Sequence, residues 1–252
     1  MKVSIITATN NSEKTIEDCI KSLIGQVYLN IEFIIIDNNS TDLTLKIIDA
    51  YKSKNKNIKL ISESDNGIYD ALNKGVSYAS GDIIGFLHSD DLYYNSYSIF
   101  NVVSFFKDNK FDCVYGDLEY VSKHNTNKII RHWKSCEFRS GLLKKGWMPA
   151  HPTLFLKKHV YEQHGKFNTF YKISADYDFM LRILEDSNLK FGYLPRIITK
   201  MRLGGMSNHS LKNIIKKTVE DYRVIRSHNA GGWFTILLKN ISKIKQFKVP
   251  LL

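Results

Sequence analysis

The N-terminal part of the chain alternates short β-branched runs with stretches of helical periodicity, and few architectures accept that pattern. Val3-Ser4-Ile5-Ile6, Phe33-Ile34-Ile35-Ile36, Ile58-Lys59-Leu60-Ile61 and Ile83-Ile84-Gly85-Phe86-Leu87 read as strands. Between them Ile16, Ile20, Leu23, Ile24 and Val27 recur at helical spacing, and residues 43–50 and 68–79 do the same. Apolar strands separated by helices imply a parallel sheet covered on both faces. No proline precedes Pro149, so no Pro-rich linker divides this half. The second half is mixed. Cys113-Val114-Tyr115 and Lys128-Ile129-Ile130 read as strands, and 175–184 and 211–225 as helices. The expected class is therefore α/β, a Rossmann-like, mostly parallel sheet flanked by helices, followed by a mixed half and a C-terminal helical extension.

Open α/β sheets bind ligands at the carboxyl ends of their strands. Those positions hold Thr7-Ala8-Thr9-Asn10, Asp37-Asn38-Asn39-Ser40, Glu63-Ser64-Asp65-Asn66 and Ser89-Asp90-Asp91, four polar clusters converging on one edge. Adjacent carboxylates such as Asp90 and Asp91 cannot be buried together without a cation. Mg²⁺ or Mn²⁺ is typically held by one or two carboxylates plus substrate phosphates, and it can offset charge on a diphosphate leaving group. The competing reading is an Asp pair that caps the next helix. Asp37 ends an apolar strand, where a carboxylate suits a ribose hydroxyl or a base edge, while Ser40 or Asp42 reads as a helix cap. No two of the 14 glycines are separated by a single residue, which excludes a GxG dinucleotide fingerprint, and no GK[ST] phosphate loop occurs. Cys19, Cys113 and Cys136 are widely spaced and odd in number, which suggests neither a disulfide framework nor a zinc knuckle.

The formal charge of +11 is concentrated late in the chain, where nine lysines and arginines from residue 209 onward face two acids. A basic tail on a nearly balanced body argues for anionic lipid rather than nucleic acid. Trp233, Leu237, Ile241 and Ile244 fall on one helical stripe and Lys239, Ser242, Lys243 and Gln246 on the other. That is the pattern of a basic amphipathic helix lying on a membrane surface, with ordinary packing on the domain as the alternative. No apolar run approaches the roughly 18 residues of a membrane span, and no small-residue cleavage site follows the first residues. The expected location is the cytoplasm, peripheral on the cytoplasmic face of a membrane.

Taken together, residues 3–10, Ile34-Ile35-Ile36-Asp37-Asn38-Asn39-Ser40-Thr41-Asp42, Asp65-Asn66-Gly67-Ile68-Tyr69-Asp70-Ala71-Leu72-Asn73-Lys74-Gly75, Gly81-Asp82 and Ser89-Asp90-Asp91 resemble the family two glycosyltransferases. The resemblance implies a GT-A fold and inverting transfer from a nucleotide-sugar. It implies that Thr7, Ala8, Thr9, Asn10, Asp37, Asp65, Asn66, Gly67, Asn73, Ser89 and Asp90 serve the donor and that Asp91 serves Mn²⁺ or Mg²⁺. Ala8 stands where the family often has proline, and Asn38-Asn39 where Asp-Gly is common. Downstream, Ser174-Ala175-Asp176-Tyr177-Asp178 resembles the family's acidic motif, whose general base matches Asp176. Helical spacing places Asp176 with Met180 and Ile183 on an apolar face and Asp178 with Arg182 and Glu185 on a polar one, where Asp178 and Arg182 form an i,i+4 pair. Trp147 and His151 look like acceptor-side residues. Arg182, Ser207 and His209, the last two beside Gly204-Gly205, are assigned to the donor diphosphate.

The sequence is thus expected to encode a metal-dependent hexosyltransferase. Residues 1–208 form its catalytic domain, with a donor half at 1–95 and an acceptor half at 96–208, and 209–252 form a basic extension. The donor is expected to be a UDP-sugar. The acceptor is expected to be a glycan or lipid-linked oligosaccharide of cell-surface polysaccharide or lipopolysaccharide synthesis. Two rivals are a sugar-1-phosphate nucleotidyltransferase, which would need a Gly-rich basic loop after the first strand, and a non-catalytic glycan- or membrane-binding module, which would not need the carboxylates at Asp90 and Asp91.

Overall fold

A computed structural model describes residues 1–204 and 211–244. The anticipated alternation is present as β1 (Val3–Thr9), α1 (Ile16–Ile24), β2 (Ile31–Asp37), α2 (Thr44–Lys52), β3 (Ile58–Ser62), α3 (Ile68–Tyr78) and β4 (Ile83–Phe86). There follow β5 (Leu92–Tyr93), α4 (Ser98–Asp108), β6 (Cys113–Val121), β7 (Ile129–Trp133), β8 (Phe155–Lys157), α5 (Lys158–His164), α6 (Ala175–Leu184), β9 (Phe191–Arg202), α7 (Leu211–Ser227) and α8 (Trp233–Ile244). Among the described residues the strands form one sheet in the order β3-β2-β1-β4-β8-β6-β9-β5, with β7 paired to β6. The first four strands are parallel neighbours, and β8 enters antiparallel between β4 and β6.

Side-chain alternation along the strands decides which core each residue joins. Ile6, Ile34, Ile36, Ile84 and Phe86 face a core built with α3, α5, α6, α7 and α8. Val3, Ile5, Phe33, Ile35 and Ile83 face the other, built with α1, α2 and α4. Burial on both faces explains why these strands read as unbroken apolar runs. Helix α3 comes close to β1 at Gly75, where a Cβ would stand 2.3 Å from Ile6 Cγ2, so only glycine fits there. The register sets Thr9 beside Asp37 and Asp37 beside Ser62, which aligns three strand ends along one edge.

The C-terminal helices pack on the domain rather than standing apart. Glu220 of α7, buried, accepts hydrogen bonds from the backbone N–H groups of Lys172, Ile173 and Ser174, immediately before α6. Ser174 makes no side-chain cap of its own, so a carboxylate from a distant helix satisfies this terminus. Asp221 accepts from Ser174 Oγ at 2.8 Å and pairs with Lys239 of α8 at 2.9 Å. The Lys239 ammonium also lies 3.2 Å from the centroid of the Tyr177 ring. Burial pulls its pKa down while Asp221 opposes that shift.

This arrangement departs from the expected faces of α8 at Lys239, while Ser242 stays outward. Lys239, assigned to the polar side, is buried, whereas Trp233, Leu237 and Ile241 of the apolar stripe are exposed. An ammonium goes inside when a carboxylate and an aromatic ring receive it together. Gln246 lies outside the described residues, as do Ser207 and His209.

Candidate active site

The aligned strand ends build the floor of the site. Asp37 is fully buried, and its carboxylate accepts from Ser40 N–H at 3.0 Å, from Ser40 Oγ and from Ser62 Oγ at 2.7 Å. Two donors from the turn after β2 and one from the end of β3 hold it in place. Asn39 adopts φ 45°, which tightens the turn after β2. Asn38 Oδ1 accepts from Asp65 N–H at 2.8 Å, and Asn10 Nδ2 donates to the Asn38 carbonyl at 2.8 Å, so the loops after β1, β2 and β3 are cross-linked. At the end of β1, Thr9 Oγ1 is buried without a hydrogen-bond partner, and Ala8 lies beside it, buried. Thr7 is placed differently from the expectation. Its hydroxyl donates to the Leu87 carbonyl inside the sheet, so it ties β1 to the end of β4 rather than facing a ligand.

The next loop leads into α3 through Gly67 at φ 111°, a conformation that side chains resist. Asn66 N–H is satisfied by Asp70 at 2.9 Å. Lys74 contacts Asp65 at 2.5 Å and Glu63 at 2.9 Å, and these partners hold its pKa up. Asn73, expected to serve the donor, instead exchanges two hydrogen bonds of 2.9 Å with the backbone of Phe167. Both ends of its amide are engaged, which makes it a strut between α3 and the segment before α6.

The carboxylate pair lies on the turn between β4 and β5. Ser89 Oγ is 3.0 Å from Ser12 Oγ, which joins this turn to the loop after β1. Asp90 is partly exposed and Asp91 fully buried. Asp91 Oδ1 accepts from Arg202 N–H at 3.2 Å, but Oδ2 has no partner. Burial, and then the charge of Asp90, pushes the Asp91 carboxyl well above the usual range. Arg202 is a participant that the sequence reading passed over. At the carboxyl end of β9 its guanidinium donates to the Asp90 carbonyl at 2.9 Å and pairs with Asp18 of α1, clamping the turn from behind. A lone arginine closing a strand carries no local pattern that would single it out.

Opposite stands the start of α6. Asp176 is half-buried, and its Oδ1 accepts from Tyr177 N–H at 2.8 Å. The Tyr69 hydroxyl, on the first turn of α3, lies 3.0 Å from Asp176 Oδ1 and 2.7 Å from the Ile173 carbonyl. Burial, and then the Asp176 charge, raises the Tyr69 pKa well above normal. The donor-side helix and the acidic motif therefore touch through one hydroxyl. Buried His151 and partly buried His88 complete the wall, with ring centroids 5.8 Å apart. Burial lowers the pKa of both, that of His151 to about 4, against the opposing pull of Asp176, so near neutral pH this wall carries no charge. His88 Nδ1 and His151 Nε2 lack partners.

Two further expectations are revised. Asp178 does not lie on an exposed polar face. It is buried and receives Arg182 and His228 Nε2 (3.1 Å). Arg182 also donates to the carbonyls of His164 at 2.8 Å and Lys166 at 3.0 Å, so its guanidinium is engaged at the α5–α6 corner. Trp147 is half-buried in an aromatic cluster, stacked with Phe138 at 5.9 Å and edge-on to Tyr115 at 5.7 Å. Among the described residues no cluster of three or more His, Cys, Asp or Glu could hold a metal ion by itself.

Comparison with known proteins places this geometry. The family model described as Glycosyl transferase family 2 matches residues 4–181, and the chain belongs to that family. A PGL/p-HBAD biosynthesis glycosyltransferase of Mycobacterium tuberculosis is 31% identical over 81% of this chain and 78% of its own length. Chondroitin synthase of Pasteurella multocida is 30% identical over 84% of this chain, which corresponds to only 22% of the larger protein. Among solved structures, S. aureus TarS 1-349 in complex with UDP-GlcNAc aligns with a TM-score of 0.71 at 21% identity, covering 90% of this chain and 65% of TarS 1-349. The mannosyltransferase PcManGT of Pyrobaculum calidifontis, solved with GDP-Man and Mn²⁺, aligns with a TM-score of 0.67 at 16% identity, covering 99% of this chain and 76% of that one. The chain thus spans less than two thirds of the TarS chain. The GT-A fold and the assignment as a glycosyltransferase follow from the family match and these alignments.

Proposed function

We propose that the chain transfers a sugar, with inversion, from a nucleotide diphosphate donor to an acceptor hydroxyl, with Asp176 as the general base. The observation that carries this reading is the pairing of two unlike carboxylates across one edge of the sheet. Asp91 is buried with an unpartnered oxygen, and Asp176 is half-open and pinned through Tyr69 to the donor-side helix. Residues 1–95 are read as the donor half and 96–208 as the acceptor half. A UDP-sugar is the favoured donor, in keeping with the UDP-GlcNAc complex of TarS. A glycan or lipid-linked oligosaccharide of cell-surface polysaccharide synthesis, met at the cytoplasmic face of a membrane, is the proposed acceptor.

A divalent cation fits the residues present. The unpartnered Oδ2 of Asp91, its raised pKa and the neighbouring Asp90 describe a carboxylate pair that Arg202 alone leaves short of positive charge. Mn²⁺ or Mg²⁺ would be held by Asp91 and Asp90, the remaining positions being filled by diphosphate oxygens and water. When bound, the cation offsets the charge that develops on the departing diphosphate. Asp37 presents a fixed acceptor to the nucleoside, and Thr9 Oγ1 offers a further hydrogen-bonding group at the same edge. Asp176 Oδ1 is held by Tyr69 and Tyr177, which leaves Oδ2 to take the proton of the acceptor hydroxyl. That oxygen bonds to the anomeric carbon as the nucleoside diphosphate leaves with the electron pair of the broken bond.

Asp176→Asn tests this reading, because the amide keeps the shape but cannot accept the proton. Transfer should fall about 10²–10⁴-fold while UDP affinity stays at the wild-type level. Wild-type transfer by Asp176→Asn would remove the residue from the mechanism.

A further inference from the structure

We infer that α7 and α8 form a docking face for an anionic membrane surface, with the apolar stripe of α8 turned outward as the contact. Two exposed apolar stripes run along this layer. Ile215 and Val219 lie on α7, and Trp233, Phe234, Leu237 and Ile241 on α8, with Ile215, Trp233 and Phe234 each at least 60% exposed. Tyr222 joins the stripes by stacking on Trp233, ring centroids 4.2 Å apart and planes 14° from parallel. Large aromatics left in water and stacked on one another are costly for a surface with no partner, and a ridge of this kind suits the headgroup boundary of a bilayer.

Charge identifies the occupant. Between residues 211 and 244 the chain has two acids, Glu220 and Asp221, and both are buried against the start of α6. Lys216, Arg223 and Arg226 are exposed on the same layer. The outward side therefore combines exposed apolar groups with basic groups and displays no carboxylate from these helices. A second copy of the chain is a poor fit, because a two-fold contact would set this cationic face against itself. An anionic lipid surface complements both features at once. The inference goes beyond the transfer reaction, but it bears on it. Glu220 links α7 directly to the backbone before Asp176, so a bilayer on this face would lie one helix layer from the acceptor side of the proposed site.

Flotation of the purified chain with vesicles tests the proposal without using donor or transfer activity, so its outcome is independent of the enzymatic reading. Vesicles of phosphatidylcholine mixed with phosphatidylglycerol should carry the protein up, pure phosphatidylcholine should not, and added NaCl should weaken binding. The exposed double variant Phe234→Ser with Leu237→Glu should lose binding on the order of tenfold. Lys216→Gln with Arg223→Gln should lose about twenty-five-fold, roughly fivefold for each charge. Both should melt at the wild-type temperature. The proposal fails if the wild type ignores anionic vesicles at low salt, or if neither double variant changes binding. It also fails if the wild type proves to be a dimer that Phe234→Ser with Leu237→Glu converts to monomer, which would make the ridge a self-interface.

Discussion

The turn after β4, at the edge of the sheet, and the corner formed by α6, α7 and α8 both hold buried carboxylates, but they treat them in opposite ways. At the edge, Asp91 is left with an unpartnered oxygen and a raised pKa. At the corner, Glu220, Asp221 and Asp178 are all matched, by backbone N–H groups, by Lys239 and by Arg182 with His228. An unmatched buried charge is destabilising until something binds it, whereas a matched one holds structure. The difference separates a region arranged to receive a ligand from one arranged to hold Asp176 in place.

Substitutions that remove one member of each set should separate these roles. Asp91→Asn should have the largest effect on transfer, a loss on the order of 10²-fold or more in the presence of Mn²⁺. Without metal it should melt no lower than wild type, because it removes a buried carboxylate that lacks a partner. A large drop in melting temperature would show Asp91 to be structural and would erase the contrast. Glu220→Ala should behave in the reverse manner. It leaves three backbone N–H groups without their acceptor, so stability in urea should fall by about 2–4 kcal/mol, more than the roughly 1 kcal/mol of an ordinary cap. Transfer should decline with it as the start of α6 loosens, while UDP binding persists. If stability is unchanged, water replaces Glu220 and the corner is not a clamp.

The two regions also differed in how far the sequence revealed them. The strand ends were legible because their chemistry is local. Apolar runs stop at Thr9, Asp37 and Leu87, polar residues follow at once, and parallel register aligns them. The helix 175–184 was recovered with its bounds. Helical faces failed wherever a charge had a distant partner. Lys239 was assigned to the outside because a lysine alone would be, yet Asp221, 18 residues earlier in the chain, draws it inside. Asp178 was assigned outward with Arg182, but His228, 50 residues later, closes over it. Arg202 reaches Asp18 across 184 residues, and Asn73 reaches Phe167 across 94. Periodicity records how a residue sits on its own element, and nothing in it encodes these partners.

Asp178→Asn measures the cost of that misreading. An exposed i,i+4 pair would be worth about 0.3–0.5 kcal/mol. The observed carboxylate is buried, with two cationic partners. Burial alone would raise its pKa, but hydrogen bonds from His228 and Arg182 outweigh that and hold it below normal. Asparagine keeps one acceptor, so the expected loss is about 1–2 kcal/mol, with transfer reduced far less than by Asp176→Asn. A loss near the exposed-pair value would return Asp178 to the surface.

The smallest effect, and the one with a distinctive pH dependence, belongs to His228. Its hydrogen bond to Asp178 raises its pKa, burial opposes this, and its second bond, from Nδ1 to Glu185 at 3.0 Å, raises it again. A raised folded-state pKa on a base means that the stabilisation is complete below the unfolded value of about 6.5 and is lost as pH rises through the folded value. The lowered pKa of Asp178 acts at the other end, its contribution being present above about 3.9 and lost only in acid. The network should therefore be strongest between about pH 4 and 6.5. His228→Gln keeps a donor but cannot carry the charge. Its stability deficit relative to wild type should be about 0.5–1 kcal/mol near pH 6 and should shrink steadily toward pH 9. The remaining Asp178–Arg182 pair is common to both proteins and gives the background. A deficit that is flat with pH would mean that His228 acts by shape alone, and one that grows with pH would mean that the neutral ring is the form the corner prefers.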